Sequence, residues 1–447
     1  MLARDSVLQS NRLRLHSLVS SAKMDIKKYR VKGYTHFDNR ISIEKVKDKI
    51  QNPCWVSKHG FYPFVHFKIE FQKYNKKDKS KKEKVRKIFY ASHIDSFIYK
   101  YYGDELNNHY NRIANELGIN EVATAYRNNL SGKSNINFAK EVIDFIKRQQ
   151  NAYVFVADFT NFFDKLDHKY LKDKIKYVIK NNTLPSDYYN VFKNLTKYSY
   201  IIRDEIEREI KDKPKKSFKY FTEKEFRAFK YKNIYKNHNS FGIPQGAGIS
   251  SVCSNIYLLN FDMQIADYVN KHKGIYRRYC DDLIIVLPID GEVKDFEYSI
   301  HQQFVESVKQ QIPNLEIQAE KTGNYFYIDR KIYDLNFNET KLDYLGFSFN
   351  GEEVRIREKS LFKYYSRAYR KVRVCNRISK EFGRKSYRRE LYKNYTHLGK
   401  YRKDQGNFLS YVSRAQRIFD ENSCTINLME HQVKNHWKRI NSLLEKH

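Results

Sequence analysis

Residues 279 to 282 read Tyr-Cys-Asp-Asp, with Ile-Tyr-Arg-Arg directly before them and Leu-Ile-Ile-Val directly after. Two β-type apolar runs meet at two adjacent carboxylates. The spacing predicts a hairpin whose tight turn holds Asp281 and Asp282 out of a sheet. Neighbouring carboxylates repel one another, so such a pair needs a cation. A divalent metal shared with a third carboxylate would suit phosphoryl transfer. An exposed turn that simply contains two aspartates is the plainer alternative.

Three further segments bear on that choice. Ala-Tyr-Val-Phe-Val-Ala-Asp at 152–158 has the pattern of a buried strand ending on a carboxylate, Asp158. Phe159 to Asp164 follow, and then a helical spacing through Leu171, Ile175 and Ile179. Asp158 could equally cap the following turn. Phe241-Gly242-Ile243-Pro244-Gln245-Gly246-Ala247-Gly248 makes a tight, backbone-exposing loop that runs into a helix near Ser250. A helix start behind such a loop can host a phosphate or a sugar edge. Glu320-Lys321-Thr322 precedes Leu342-Asp343-Tyr344-Leu345-Gly346-Phe347. Lys321 could clamp a leaving pyrophosphate or act as a general acid, or be one more surface lysine.

Taken in order, these segments resemble the reverse transcriptase family over roughly residues 85 to 350. Asp158 with Phe163 matches its motif A, Pro244-Gln245-Gly246 its motif B, and Tyr279 to Asp282 its motif C. Glu320-Lys321-Thr322 looks like motif D, and Tyr344-Leu345-Gly346-Phe347 like motif E. The resemblance implies an α+β right-hand polymerase, with an antiparallel palm sheet, fingers and a helical thumb. It implies that Asp158 and Asp281, supported by Asp282, bind two Mg²⁺ ions. Lys87 and Arg127 fall where the family grips the incoming triphosphate, and Gln245 and Gly246 where it positions the nucleotide. Phe163 falls at the steric-gate position that selects dNTPs; its alternative is a core phenylalanine.

The formal charge of +32, from 84 Lys and Arg against 52 Asp and Glu, favours a polyanionic partner. No apolar run is long enough to span a bilayer, so no membrane association is expected. Tyrosine and phenylalanine interleave with the basic residues, which suits base stacking beside phosphate contact, although many rings must fill the core. Five scattered cysteines show no paired metal spacing, and Cys54, His59 and His66 lack an evident fourth zinc ligand. Reduced thiols in a cytoplasmic bacterial protein are the plain reading.

Residues 1–23 contain no Phe, Trp or Tyr, and Met24 is a plausible alternative start. They could be an upstream extension, a leftover of cloning or an interaction tail. The expected organisation is an N-terminal region with fingers over 24–149, a palm over 150–349 and a basic helical thumb over 350–447. The lysine-rich run 76–82 reads as a solvated loop. Residues 136–148 have the spacing of an amphipathic helix. About 181–240 is a charged and aromatic insertion of helical or hairpin type inside the palm.

Tyr34-Thr35-His36-Phe37-Asp38, Ser92-His93-Ile94-Asp95 and Gly132-Lys133-Ser134-Asn135 look like the bacterial defence-associated reverse transcriptases. That subgroup implies a noncoding RNA template, DNA product and a role against phage. A template-independent, abortive-infection-type polymerase and a catalytically idle RNA-binding scaffold stay open, as does a homo-oligomer.

Overall fold

Alternating apolar residues with Gly and Pro punctuation lead to three β-sheets flanked by helices. The computed structural model describes residues 24–75, 80–211, 219–400 and 406–444. The chain forms two compact units. One is built from residues up to Leu106 together with Lys180–Ser250, the other from Asn107–Ile179 and from Ser251 onward. The expectations for residues 1–23 and for Lys76 to Lys79 lie outside the described residues.

In the first unit, strands β1 (Phe64–Asn75) and β2 (Ser80–Tyr90) pair as a long antiparallel ribbon. With strands numbered in chain order, β4 (Ser199–Ile202) joins the base of β1 in parallel, and β5 (Tyr235–Lys236) adds to β4. The expected loop therefore stops short: Ser80, Lys81 and Lys82 already belong to β2. Beyond His66, no third strand pairs with the β1–β2 ribbon among the described residues. The segment expected as an insertion, 181–240, supplies both β4 and β5 and three helices, Ser186–Thr196, Arg203–Glu209 and Glu223–Asn233; residues 212–218 of it lie outside the described residues. Its Ile201, Ile206, Phe221 and Phe229 pack with Phe37 and Val65 in one small core.

The second unit holds a six-stranded antiparallel sheet. Its members are β3 (Asn151–Asp158), β6 (Ile275–Tyr279), β7 (Asp282–Pro288), β8 (Gly323–Ile328), β9 (Lys331–Tyr333) and β10 (Glu339–Thr340). Their order is β10-β9-β8-β3-β7-β6, which puts β3 between two neighbours and explains its continuous apolar run. A second sheet, β11 (Leu342–Tyr344), β12 (Phe347–Phe349), β13 (Glu353–Ile356) and β14 (Ile426–Asn427), follows in that spatial order.

One apolar core joins these sheets to the helices. The helix Asn135–Lys147 starts on a Ser134 capping box and buries Ile136, Val142 and Ile146. They pack with Val154, Ile284 and Val286 of the six-stranded sheet and with Phe347, Phe349 and Val354 of the other. Val412 and Phe419 of the helix Phe408–Asp420 close the cluster. The long helix Glu358–Phe382 buries Tyr364, Tyr365, Ala368, Val372 and Cys375 at helical spacing and ends at Gly383, whose φ is +63°. All five cysteines are free thiols. No helix among the described residues is long and apolar enough to cross a membrane.

Candidate active site

The register of the six-stranded sheet brings the carboxylates together. Asp158, the last residue of β3, lies opposite Asp282, the first residue of β7. Tyr279 pairs with Asp282 across β6 and β7, which leaves Cys280 and Asp281 as a two-residue turn. Cys280 has φ +62°, the positive value that primed hairpin turns require at their first position. A cysteine held there stores on the order of 1–3 kcal/mol of backbone strain. The Asp281 carbonyl accepts from the Phe159 amide at 3.2 Å, so the turn is tied to the end of β3. On the other side the Asp158 carbonyl accepts from the Gln318 amide at 2.8 Å. That bond fixes the short turn Ala319–Lys321 and delivers Lys321 Nζ to Asp158 Oδ2 at 2.5 Å.

The electrostatics follow from this crowding. Asp158 is 8 % exposed. Asp282 keeps a solvent-facing edge, but the protein around it strips water from its carboxylate. The charges of Asp281 and then Asp158 add to that, and its pKa is pushed up to about 7. Three carboxylates of this kind are hard oxygen donors whose charge is compensated only in part, which is the donor set a divalent magnesium-type ion takes. Lys321 supplies one positive charge against the three. Among the described residues no three His, Cys, Asp or Glu side chains close around a common point, so these aspartates are a donor set and not a preformed cage.

Phe163 stands just after this strand end. Asn161 takes φ +47° and turns the chain into the short helix Phe162–Lys165. Phe162 is buried and Phe163 half-buried, with ring centroids 5.8 Å apart. The core position is thus Phe162, and Phe163 presents an edge to solvent.

Gln245, Gly246 and Lys87 belong to the first unit. The Gln245 carbonyl accepts from the Phe89 amide at 3.0 Å, which joins the loop to β2. Gly246 has φ +122°, and a Cβ there would stand 2.2 Å from the Phe89 carbonyl oxygen, so only glycine fits. Ser250 Oγ donates to the Pro244 carbonyl at 2.8 Å and closes the loop. Lys87, two residues before Phe89 on β2, is exposed.

Arg127 lies in the second unit with its guanidinium engaged on all three nitrogens. It donates to the side chain of Asn111, to the backbone and side chain of Asn120, and to the Ala123 carbonyl at 3.0 Å. It also covers the Tyr110 ring at 5.0 Å. In this conformation it braces the loop around 120–127.

The chain belongs to the reverse transcriptase family.

Its match to the family model described as "Reverse transcriptase (RNA-dependent DNA polymerase)" runs over residues 74–349, more than half of the chain. No curated protein matches it. Among solved structures it is similar to apo telomerase from Candida tropicalis, at 11 % identity and a TM-score of 0.46, over 87 % of this chain and 59 % of that one. It is also similar to telomerase from Candida albicans in complex with a fragment of telomeric RNA, at 12 % identity and a TM-score of 0.39, over 90 % and 59 %. A third likeness is to the Sicinivirus RNA-dependent RNA polymerase, at 10 % identity and a TM-score of 0.31, over 63 % and 50 %. The chain thus matches well under two thirds of the length of each. The family assignment rests on the sequence match, and the antiparallel sheet carrying the carboxylates is the polymerase-type α+β fold it implies.

One set of residues escaped the sequence reading. Arg278 and Asp262 are both fully buried, and Arg278 bonds Asp262 through Nε at 2.8 Å and Nη2 at 2.5 Å. The signal was present in the period. Tyr276 and Arg278 share one buried face of β6, and Asp262 stands at a core position of the helix Leu259–Lys271 beside Phe261 and Ile265. A cation and an anion at two core positions predict each other. A hollow of about 460 Å³ near the C-terminal helices, lined by His397, Lys400, Leu409 and His436, includes none of the carboxylates.

Proposed function

We propose that the protein is an RNA-directed DNA polymerase that builds DNA from dNTPs on an associated noncoding RNA, as an antiphage factor in the bacterial cytoplasm. The observation that carries the polymerase reading is the register of Asp158 against Asp282, with Asp281 in the turn and Lys321 on Asp158. Asp158, Asp281 and Asp282 would hold two Mg²⁺ ions. Bound there, the ions would activate the primer 3′-oxygen and neutralise the leaving pyrophosphate.

The chain's own groups divide the remaining work. Lys321 would shed its contact with Asp158 and offer its proton to a departing phosphate oxygen. Phe163, half-buried after the strand end, would fill the space beside the ribose C2′ and exclude a hydroxyl there. Gln245 and the exposed backbone of Gly246 would position the nucleotide, and Lys87 would supply a point charge to its phosphates. Arg127 would keep the adjoining loop in place. On this reading residues 24–149 form the fingers region, 150–349 the palm and 350–447 the thumb. The helix Glu358–Phe382 supports the last assignment, since Arg370, Arg373 and Arg377 line its exposed face where duplex phosphates would run.

The defence reading is supported by the resemblance of residues 34–38, 92–95 and 132–135 to that subgroup, and the first two of these stretches bond to one another. Asp38 accepts from the His93 and Ile94 amides, at 3.0 Å each, and Tyr34 donates to the Ala91 carbonyl at 2.9 Å. The test is to supply the purified protein, with the RNA that accompanies it, with dNTPs and Mg²⁺ and to sequence the product. DNA complementary to one structured RNA is expected. Random-sequence DNA, or DNA made equally well after ribonuclease treatment, would overturn the templated reading.

A further inference from the structure

The carboxylates depend on a turn that is intrinsically strained, and the structure shows what holds it. Arg278 Nη1 donates to the Cys280 carbonyl at 2.7 Å and to Asn255 Oδ1 at 3.2 Å. Its other two nitrogens are taken by Asp262, which also accepts from the Tyr276 hydroxyl at 2.8 Å. The backbone of Arg278 is pinned as well: its amide donates to the Val122 carbonyl and its carbonyl accepts from the Thr124 amide, both at 2.8 Å. A rigid fork with four of its five donors engaged, and bonds on all three nitrogens, fixes the position of the atom it holds. That atom is the carbonyl oxygen of the residue next to Asp281. A buried ion pair gains little stability over apolar packing of the same volume, so stability alone does not account for the pair.

We infer that Arg278, oriented by Asp262, is a positioning residue that sets the Cys280–Asp281 turn and with it the placement of the Asp281 and Asp282 carboxylates. This rests on the polymerase reading for its catalytic consequence, but its structural consequence stands by itself. Removing the Arg278–Cys280 tether lets the positive-φ turn relax, and the two carboxylates lose their register with Asp158. A displacement of about 1 Å at reacting groups lowers rates about a hundredfold. The nucleotide contacts assigned above do not involve Arg278, so the loss falls on kcat and on metal response, with little change in KM for dNTP.

The test compares the full-length wild type with R278K, D262N and the double variant R278M/D262L. The double variant removes both charges together, so it avoids leaving either one buried alone. Three measurements are made on each: thermal midpoint, hydrogen exchange of the peptide spanning the turn, and dTTP incorporation on poly(rA)–oligo(dT) across Mg²⁺ concentration. The expected result is that R278M/D262L melts near the wild type but exchanges faster at 279–282 than at 283–287. Its kcat should fall about a hundredfold, with the half-saturating Mg²⁺ concentration raised. R278K should show the same pattern in weaker form, since lysine keeps the charge and loses the fork. A double variant with wild-type exchange at the turn and wild-type kcat would overturn the inference and leave the pair a packing feature. If the wild type incorporates nothing, the polymerase reading fails, while the exchange measurement still decides whether Arg278 holds the turn.

Discussion

At the scale of single residues, the site separates two phenylalanines that the sequence sets side by side. Phe162 is in the core, and Phe163 is half-buried beside the strand end that carries Asp158. Trimming Phe163 to Ala should therefore spare folding and open space beside the sugar. Single-nucleotide incorporation should show a much smaller preference for dNTP over rNTP, because a clash is removed and no attraction gained. An unchanged preference would mean that the gate is elsewhere. Gly246 makes the opposite kind of prediction. Its φ of +122° and the Phe89 carbonyl 2.2 Å from a built Cβ leave no room for a methyl group. G246A should cost more than about 1 kcal/mol, read as a lower denaturation midpoint, together with weakened nucleotide use. A variant as stable as the wild type would show that the loop adapts.

At the scale of elements, the decisive feature is the registration of β3, β6 and β7. Gly274, just before β6, shows how tightly it is set. A Cβ there would approach the Val286 carbonyl oxygen to 2.4 Å and the Leu287 side chain to 2.8 Å. G274A should thus spread the β6–β7 pair, lower the denaturation midpoint and reduce incorporation in step with it. Loss of activity without loss of stability would place the effect elsewhere. These elements were legible because their patterns are local: β3 is a continuous apolar run ended by Asp158, and the helices at 135, 250, 358 and 408 carry clear apolar spacing. Two features were not legible, for physical reasons. β4 pairs with β1 across more than 130 positions of chain, and no local period encodes so distant a partner. The Arg278–Asp262 pair is visible in sequence only as two charges among many, until both are placed on buried faces. Arg127 was read from its family position, and its bonds to Asn111 and Asn120 depend on a loop conformation that spacing does not reveal.

At the scale of the whole molecule, charge and buried histidines set the response to solution conditions. Burial pushes the pKa of His36 down to about 3 and those of His109 and His301 down to about 4. The unfolded chain takes up these protons below about pH 6.5, and the folded chain does not until far lower. Stability should therefore fall as pH drops from about 6.5 towards 4, an unfolding trend that H36Q should lessen. A flat denaturation midpoint across that window would contradict the assignment. The +32 charge predicts RNA binding that weakens steeply as salt rises, with a preferred RNA retained over bulk RNA. The most direct test of the central claim is primer extension with Mg²⁺ and dNTPs, comparing the wild type with D281A/D282A at matched folding and matched RNA occupancy. The account predicts template-dependent DNA synthesis by the wild type and none above background by the double variant. Near-normal synthesis by D281A/D282A would contradict it.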